Sequence, residues 1–209
     1  MIGLLLKDLL CLKKVGAKMG LVLAIYIVIF VASGNINFLG AIIILILTML
    51  SMNTFAYDEM AKWDYYALSI PVTKRQIVLS KYLLVLFFDV ISILIVLLIY
   101  LVKNLINIET ILSLCAMSAS ALMMAAVLLP LLYKLGTQKA RIWMILIILL
   151  PTAGMMLLAK FKIVGTAGGL AVISDSTIEL LIYLAVPVAL LLLVGSYFLS
   201  CKIFEKKEI

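Results

Sequence analysis

Residues 78–102 read VLSKYLLVLFFDVISILIVLLIYLV, and only Lys81 and Asp89 in that stretch carry charge. A membrane-spanning helix needs about 20 apolar residues in a row, and this run exceeds that. Five further apolar runs flank it, at approximately 19–33, 38–57, 109–133, 141–159 and 177–200. Composition agrees with the runs. Of 209 residues, 67% are hydrophobic and 13% charged, with a mean hydropathy of +1.33; a soluble domain is about half apolar and about a quarter charged. The expected fold is therefore all-α: one polytopic membrane domain over 1–209 with six transmembrane helices.

The connecting segments refine this reading. The opening MIGLLLKDLLCLKKVGAK places Lys7, Lys14 and Lys18 on one helical face beside Leu4, Leu5, Leu9 and Leu12, which predicts an interfacial helix over 1–16. The alternative is an N-terminal extension of the first span. That span ends in Ala32, Ser33 and Gly34, as a signal peptide does, but the 18 residues before it are too long and too apolar for an n-region. It reads as uncleaved. Gly34, Asn35 and Asn37 predict a tight turn, and Gly165, Gly168 and Gly169 a looser one. Thr73 with Gln76, and Ser176 with Glu179, have capping-box spacing and predict the starts of the third and last spans.

The net charge of +7 does not point to nucleic acid, because Lys and Arg lie between the apolar runs rather than along one face. Fourteen of the 17 fall in the N-terminal segment, in 58–81, in 134–141 and in the C-terminal tail, against three on the opposite side: Lys103, Lys160 and Lys162. Positive charge stays on the cytoplasmic side, so both termini are expected there, joined by an even number of spans.

Catalytic chemistry finds no footing. The chain has no His, and Cys11, Cys115 and Cys201 are isolated, which supports neither a zinc site nor a disulfide framework. No nucleophile elbow, HExxH, phosphate-cradling loop or pair of acids in neighbouring spans appears. Neither cofactor nor metal is expected on this chain. Asp89, inside the third span, is either a proton or substrate site or a structural hydrogen-bonding residue with Lys81 two turns away. Pro130, Pro151 and Pro187 are candidate bends in the last three spans. Ala116 with Ser120, and Ala185 with Ala189, permit close helix approach.

The segment between spans two and three, residues 58–75, carries the most information. Asp58, Glu59, Lys62 and Asp64 alternate with Met60, Trp63, Tyr65 and Tyr66, which predicts a short surface helix with an aromatic edge. Ser69 and Pro71 stop it and Thr73 restarts the chain. Such a knuckle either grips a partner or anchors the third span.

The string from Phe55 to Tyr82, F-x-x-D-E-x-x-x-W-D-x-Y-x-L-S-x-P-V-x-x-R-x-I-V-x-S-K-Y, resembles permease subunits of type-2 ATP-binding cassette transporters, in particular small bacterial permeases. The resemblance implies a subunit of the bacterial cytoplasmic membrane that pairs with a second permease, as homodimer or heterodimer, and with cytoplasmic ATPase subunits that bind ATP and Mg. It makes 58–75 the coupling segment, with Asp58, Glu59, Lys62, Trp63, Asp64, Tyr66 and Arg75 as contact or shaping positions. It also implies export of amphipathic peptide or of lipid-like, toxic cargo. An ion-coupled carrier using Asp89 and a non-transporting membrane scaffold are the competing readings.

Overall fold

The computed structural model describes residues 2–33, 36–68, 72–160 and 175–206, and every regular element among them is helical. Six helices follow in order: α1 (Ile2–Ser33), α2 (Ile36–Met60), α3 (Trp63–Leu68), α4 (Lys74–Val102), α5 (Ile108–Lys160) and α6 (Asp175–Lys206). Among the described residues, five segments are long and apolar enough to cross a membrane: Val15–Ala32, Phe38–Met60, Lys74–Val102, Ile108–Ala140 and Tyr183–Lys206. The sixth expected run, 141–159, is helical in backbone as the second part of α5, but most of its side chains lie outside the described residues.

Two boundaries differ from expectation. The interfacial helix expected over 1–16 is not a separate element, because α1 continues unbroken to Ser33. Only Gly16 and Gly20 mark the junction, and a lone glycine costs a helix about 1 kcal/mol without breaking its hydrogen bonds. The expected loop at 134–141 contracts to one residue, Gly136, whose φ of 75° and ψ of 172° interrupt α5. Pro130 lies within continuous helix, as does Pro187 in α6. The capping box that opens α4 is formed: Thr73 Oγ1 accepts from the Gln76 N–H at 3.3 Å, and Gln76 Oε1 accepts from the Thr73 N–H at 3.2 Å. The expected features at Gly34 and Asn35, at Ser69 and Pro71, around Gly165–Gly169 and in the Ser176/Glu179 side chains lie outside the described residues, as does the Asn37 side chain.

The helices pack through two apolar clusters. One joins α1, α2 and α4 through Leu12, Leu39, Ile43, Leu84 and Val96; the other joins α4, α5 and α6 through Val78, Val85, Ala125, Leu129, Ala189 and Phe204. Gly40 allows its neighbours to approach closely, since a Cβ there would stand 3.1 Å from Val96 Cγ1 and 3.6 Å from Met117 Sδ. Ala189 is fully buried, and Ser120 faces outward. Leu191 and Phe198 remain 71% and 66% exposed, the arrangement expected of surfaces that meet lipid.

Hydrocarbon offers polar groups no partner, so each must be satisfied inside the bundle. Thr48, Ser51, Thr54, Ser80 and Ser92 donate their hydroxyls to carbonyls three or four residues back on their own helices. Tyr82 Oη lies 2.7 Å from Ser196 Oγ and 2.8 Å from Ser200 Oγ, and Ser196 donates to the Ala126 carbonyl. That chain of hydroxyls links α4, α6 and α5.

Candidate functional site

Charge gathers at one end of the bundle. Asp58, in the last turn of α2, accepts from Lys7 Nζ at 2.6 Å through Oδ1 and pairs with Lys81 Nζ at 2.5 Å through Oδ2. Asp8 closes the ring, 2.8 Å from Lys81 Nζ and 3.0 Å from Lys7 Nζ. Two cations and two anions therefore cancel. Asp8 and Lys81 are 1% and 3% exposed, and charges so buried are tolerated only when fully paired. Burial draws the Lys7 ammonium down, but the hydrogen bond and charge of Asp58, with the charge of Asp8, outweigh it and hold the group above its ordinary value. Aromatic faces complete the cage: Lys7 Nζ sits 4.1 Å from the centroid of Trp63, and Lys81 Nζ 5.2 Å from that of Phe55.

Glu59 follows Asp58 immediately and does something different. Successive helical residues point about 100° apart, so neighbours reach different elements. Glu59 Oε2 accepts from the Thr137 backbone N–H at 2.8 Å and from the Thr137 hydroxyl. The break at Gly136 frees that N–H from helical bonding, and the carboxylate takes the part of an N-cap for the second portion of α5. Asp58 thus fastens α2 to α1 and α4, and Glu59 fastens it to α5.

Between these attachments a cleft of about 220 Å³ opens, lined by Asp58, Glu59, Lys62, Tyr65, Tyr133 and Thr137. The chain turns from α2 into α3 through Lys62, whose φ of 49° is left-handed. Ala67 of α3 is buried, whereas Tyr65 and Tyr66 are each 63% exposed. Arg75 lies at the start of α4 and pairs with Glu205 near the end of α6 at 2.9 Å, both in solvent. Since Lys7, Arg75 and Glu205 all sit here, the start of α1 and the end of α6 share this end of the bundle.

Of the residues singled out from sequence, Asp58, Glu59, Lys62, Trp63 and Tyr66 converge at this end, with Arg75 on its margin. Trp63 packs beneath Lys7, and its Nε1 has no partner among the described residues. The Asp64 side chain lies outside the described residues. Asp89 stands apart, 4% exposed within α4, and its Oδ1 has no hydrogen-bond partner among the described residues. The cation expected near it from Lys81 goes elsewhere, because Lys81 is held by Asp8 and Asp58. Sequence reasoning passed over Asp8 and Thr137. Asp8 had a signal, being the only acid among the first 57 residues and followed by several lysines. Thr137 had none.

Among the described residues the architecture is all-helical, with five membrane-length segments and a short charged knuckle between the second and the third, as a multi-pass membrane protein has. The model of the family described as ABC-2 family transporter protein matches residues 3–205. The chain belongs to that family, and it is an ABC-2 type permease of the kind that works with an ATPase. No curated protein and no solved structure matches it.

Proposed function

We propose that this chain is the membrane-spanning subunit of an ATP-driven exporter in the bacterial cytoplasmic membrane, that it moves amphipathic peptide or lipid-like, toxic cargo, and that a separate ATPase subunit hydrolyses the ATP. The observation that carries the proposal is α3: a six-residue helix with two exposed tyrosines, set where the ion cluster and Glu59 link it to the helices around it. ATP-driven closure of the ATPases would push this knuckle, and the attachments at Asp58 and Glu59 would pass the displacement to α1, α4 and α5. In this reading the charged end is cytoplasmic, α5 crosses the membrane twice, and the chain has six spans with both ends inside. A second permease subunit completes the pathway. Domain organisation as a single permease unit over 1–209 belongs to the same proposal.

Purification in mild detergent from the native membrane tests it. A stoichiometric ATPase subunit is expected to accompany the parent chain and to be lost from Trp63→Ala. Absence of any ATPase under nucleotide-free and nucleotide-bound conditions would remove the exporter reading. One observation favours a second reading: a buried Asp89 with an unpaired carboxylate oxygen among the described residues suits an ion-coupled carrier. Asp89→Asn would then abolish a proton or sodium dependence of transport, whereas in the exporter it leaves ATP dependence intact.

A further inference from the structure

The exposed face at the charged end is wider than α3. Thr137 is bonded to Glu59, so the Gly136 break is brought against the knuckle, and the cleft between them has Lys62 and Tyr65 on one wall and Tyr133 and Thr137 on the other. Met60, Tyr65 and Tyr66 are 83%, 63% and 63% exposed on the knuckle side. Lys62 lines that cleft, and Lys134 and Lys139 are exposed on the two sides of the Gly136 break. Exposed methionine and tyrosine with ammonium groups on the adjoining segments match the composition of a protein interface, whose core is enriched in aromatics and Met and whose rim is polar. Tyrosine beside ammonium groups also suits a membrane surface, so lipid is the alternative that the vesicle measurement below decides.

We infer that the ATPase-docking surface of this chain is composite, made of α3 together with the stretch of α5 around its break, 134–139, and that Glu59 is the positioning residue that holds the two parts in register. This inference rests on the exporter reading. It assigns the partner a chemistry: a groove that accepts two tyrosines, bordered by carboxylates that meet Lys62, Lys134 and Lys139. Glu59 acts through Thr137 and does not itself touch the partner, so what it must supply is a hydrogen-bond acceptor and not a charge.

The test is capture of the ATPase by full-length chain purified from its native membrane. The double variant Lys134→Glu/Lys139→Glu is expected to weaken capture on the order of tenfold, as reversal of rim charges does, with the difference shrinking as salt is raised. Glu59→Ala is expected to weaken capture with little change in the melting of the chain, and Glu59→Gln, which keeps an acceptor for the Thr137 N–H, to restore it. Parent-level capture by the lysine double variant, alongside loss in Tyr65→Ala/Tyr66→Ala, would overturn the composite surface and leave the exporter reading standing. A double variant that captures normally but no longer binds vesicles containing phosphatidylglycerol would assign the lysines to lipid and overturn it equally. Failure of Glu59→Gln to rescue would overturn the positioning role. If the parent captures no ATPase, the exporter reading and this inference fall together.

Discussion

Asp58 and Glu59 are adjacent in sequence and similar in chemistry, yet they make two unlike joints. The Asp58 joint is interior: four charges from three helices, closed to solvent at Asp8 and Lys81. The Glu59 joint is exposed: one carboxylate on the N–H and hydroxyl of a residue that follows a helix break. A buried ion pair is rigid because separating its members exposes each to a poor solvent, whereas an exposed hydrogen bond exchanges readily with water. The same turn of α2 therefore has a fixed attachment to α1 and α4 and a releasable one to α5. A knuckle that must transmit a push needs the first to carry force and the second to let the helices part.

The largest effect that would sharpen this contrast lies in the interior joint. Asp8→Asn leaves Lys81 with one partner in a buried site, and Lys81→Met leaves two carboxylates facing a single ammonium. Each is expected to destabilise the chain by about 3–5 kcal/mol, read as a loss of folded protein in a detergent melting or denaturant series. The double replacement Asp8→Leu/Lys81→Met removes a cation and an anion together and should recover much of that loss. A double variant as unstable as either single one would break the idea that pairing, rather than packing, maintains the joint.

Next in size is the exposed joint. Gly136 holds φ at 75° and ψ at 172°, a region open to glycine and strained for any residue with a Cβ. Gly136→Ala is expected to cost about 1–3 kcal/mol. The added Cβ meets Glu59 Oε1 at 3.4 Å, an ordinary contact, so the loss comes from backbone strain and not from collision. Glu59→Ala combined with Gly136→Ala separates the two contributions: an unchanged cost in the Glu59→Ala background assigns it to the backbone, and a reduced one assigns it to the carboxylate.

Much of this architecture was legible in the sequence because hydrocarbon imposes a simple rule on length and polarity. The run at 78–102 required a spanning helix, and Thr73 with Gln76 marked its start within a residue. The knuckle was legible too, since charged and aromatic residues alternate there between apolar runs. What was not legible depends on contacts between distant segments. Lys81 and Asp89 share one helix, and their spacing pointed to each other, but packing of α1 against α4 brought Asp8 within 2.8 Å of Lys81 and claimed the cation first. The continuity of α1 was legible only as the alternative reading, for a related reason: lysines that resemble an interfacial face turn out in part to be inward partners, as Lys7 is. The cations of 134–141 placed a connection there without showing that the helix would break only at Gly136 and resume at once.

Arg75 provides a smaller effect. It was grouped with the knuckle in sequence, but it pairs with Glu205 across solvent, its side chain 72% exposed. Exposed ion pairs contribute little and are screened by salt. Arg75→Ala should leave the melting temperature unchanged, and a clear drop would show that the α4 to α6 margin bears load as the Asp58 joint does.

The smallest effect under ordinary conditions comes from Lys7, and its sign is fixed. The pull of Asp58 and Asp8 exceeds the opposing effect of burial, so the folded chain holds the Lys7 proton more tightly than the unfolded chain does. Stability contributed this way is fully present below the ordinary lysine value of 10.5 and is lost as pH climbs through the higher folded value. Nothing should change through Lys7 between about pH 6 and 9, well below that range. A melting series carried to pH 11 should fall more steeply for the parent than for Lys7→Met, which has no proton to lose there. Equal alkaline slopes would mean that Asp58 and Asp8 do not favour the charged ammonium, and the interior joint would then rest on Lys81 alone.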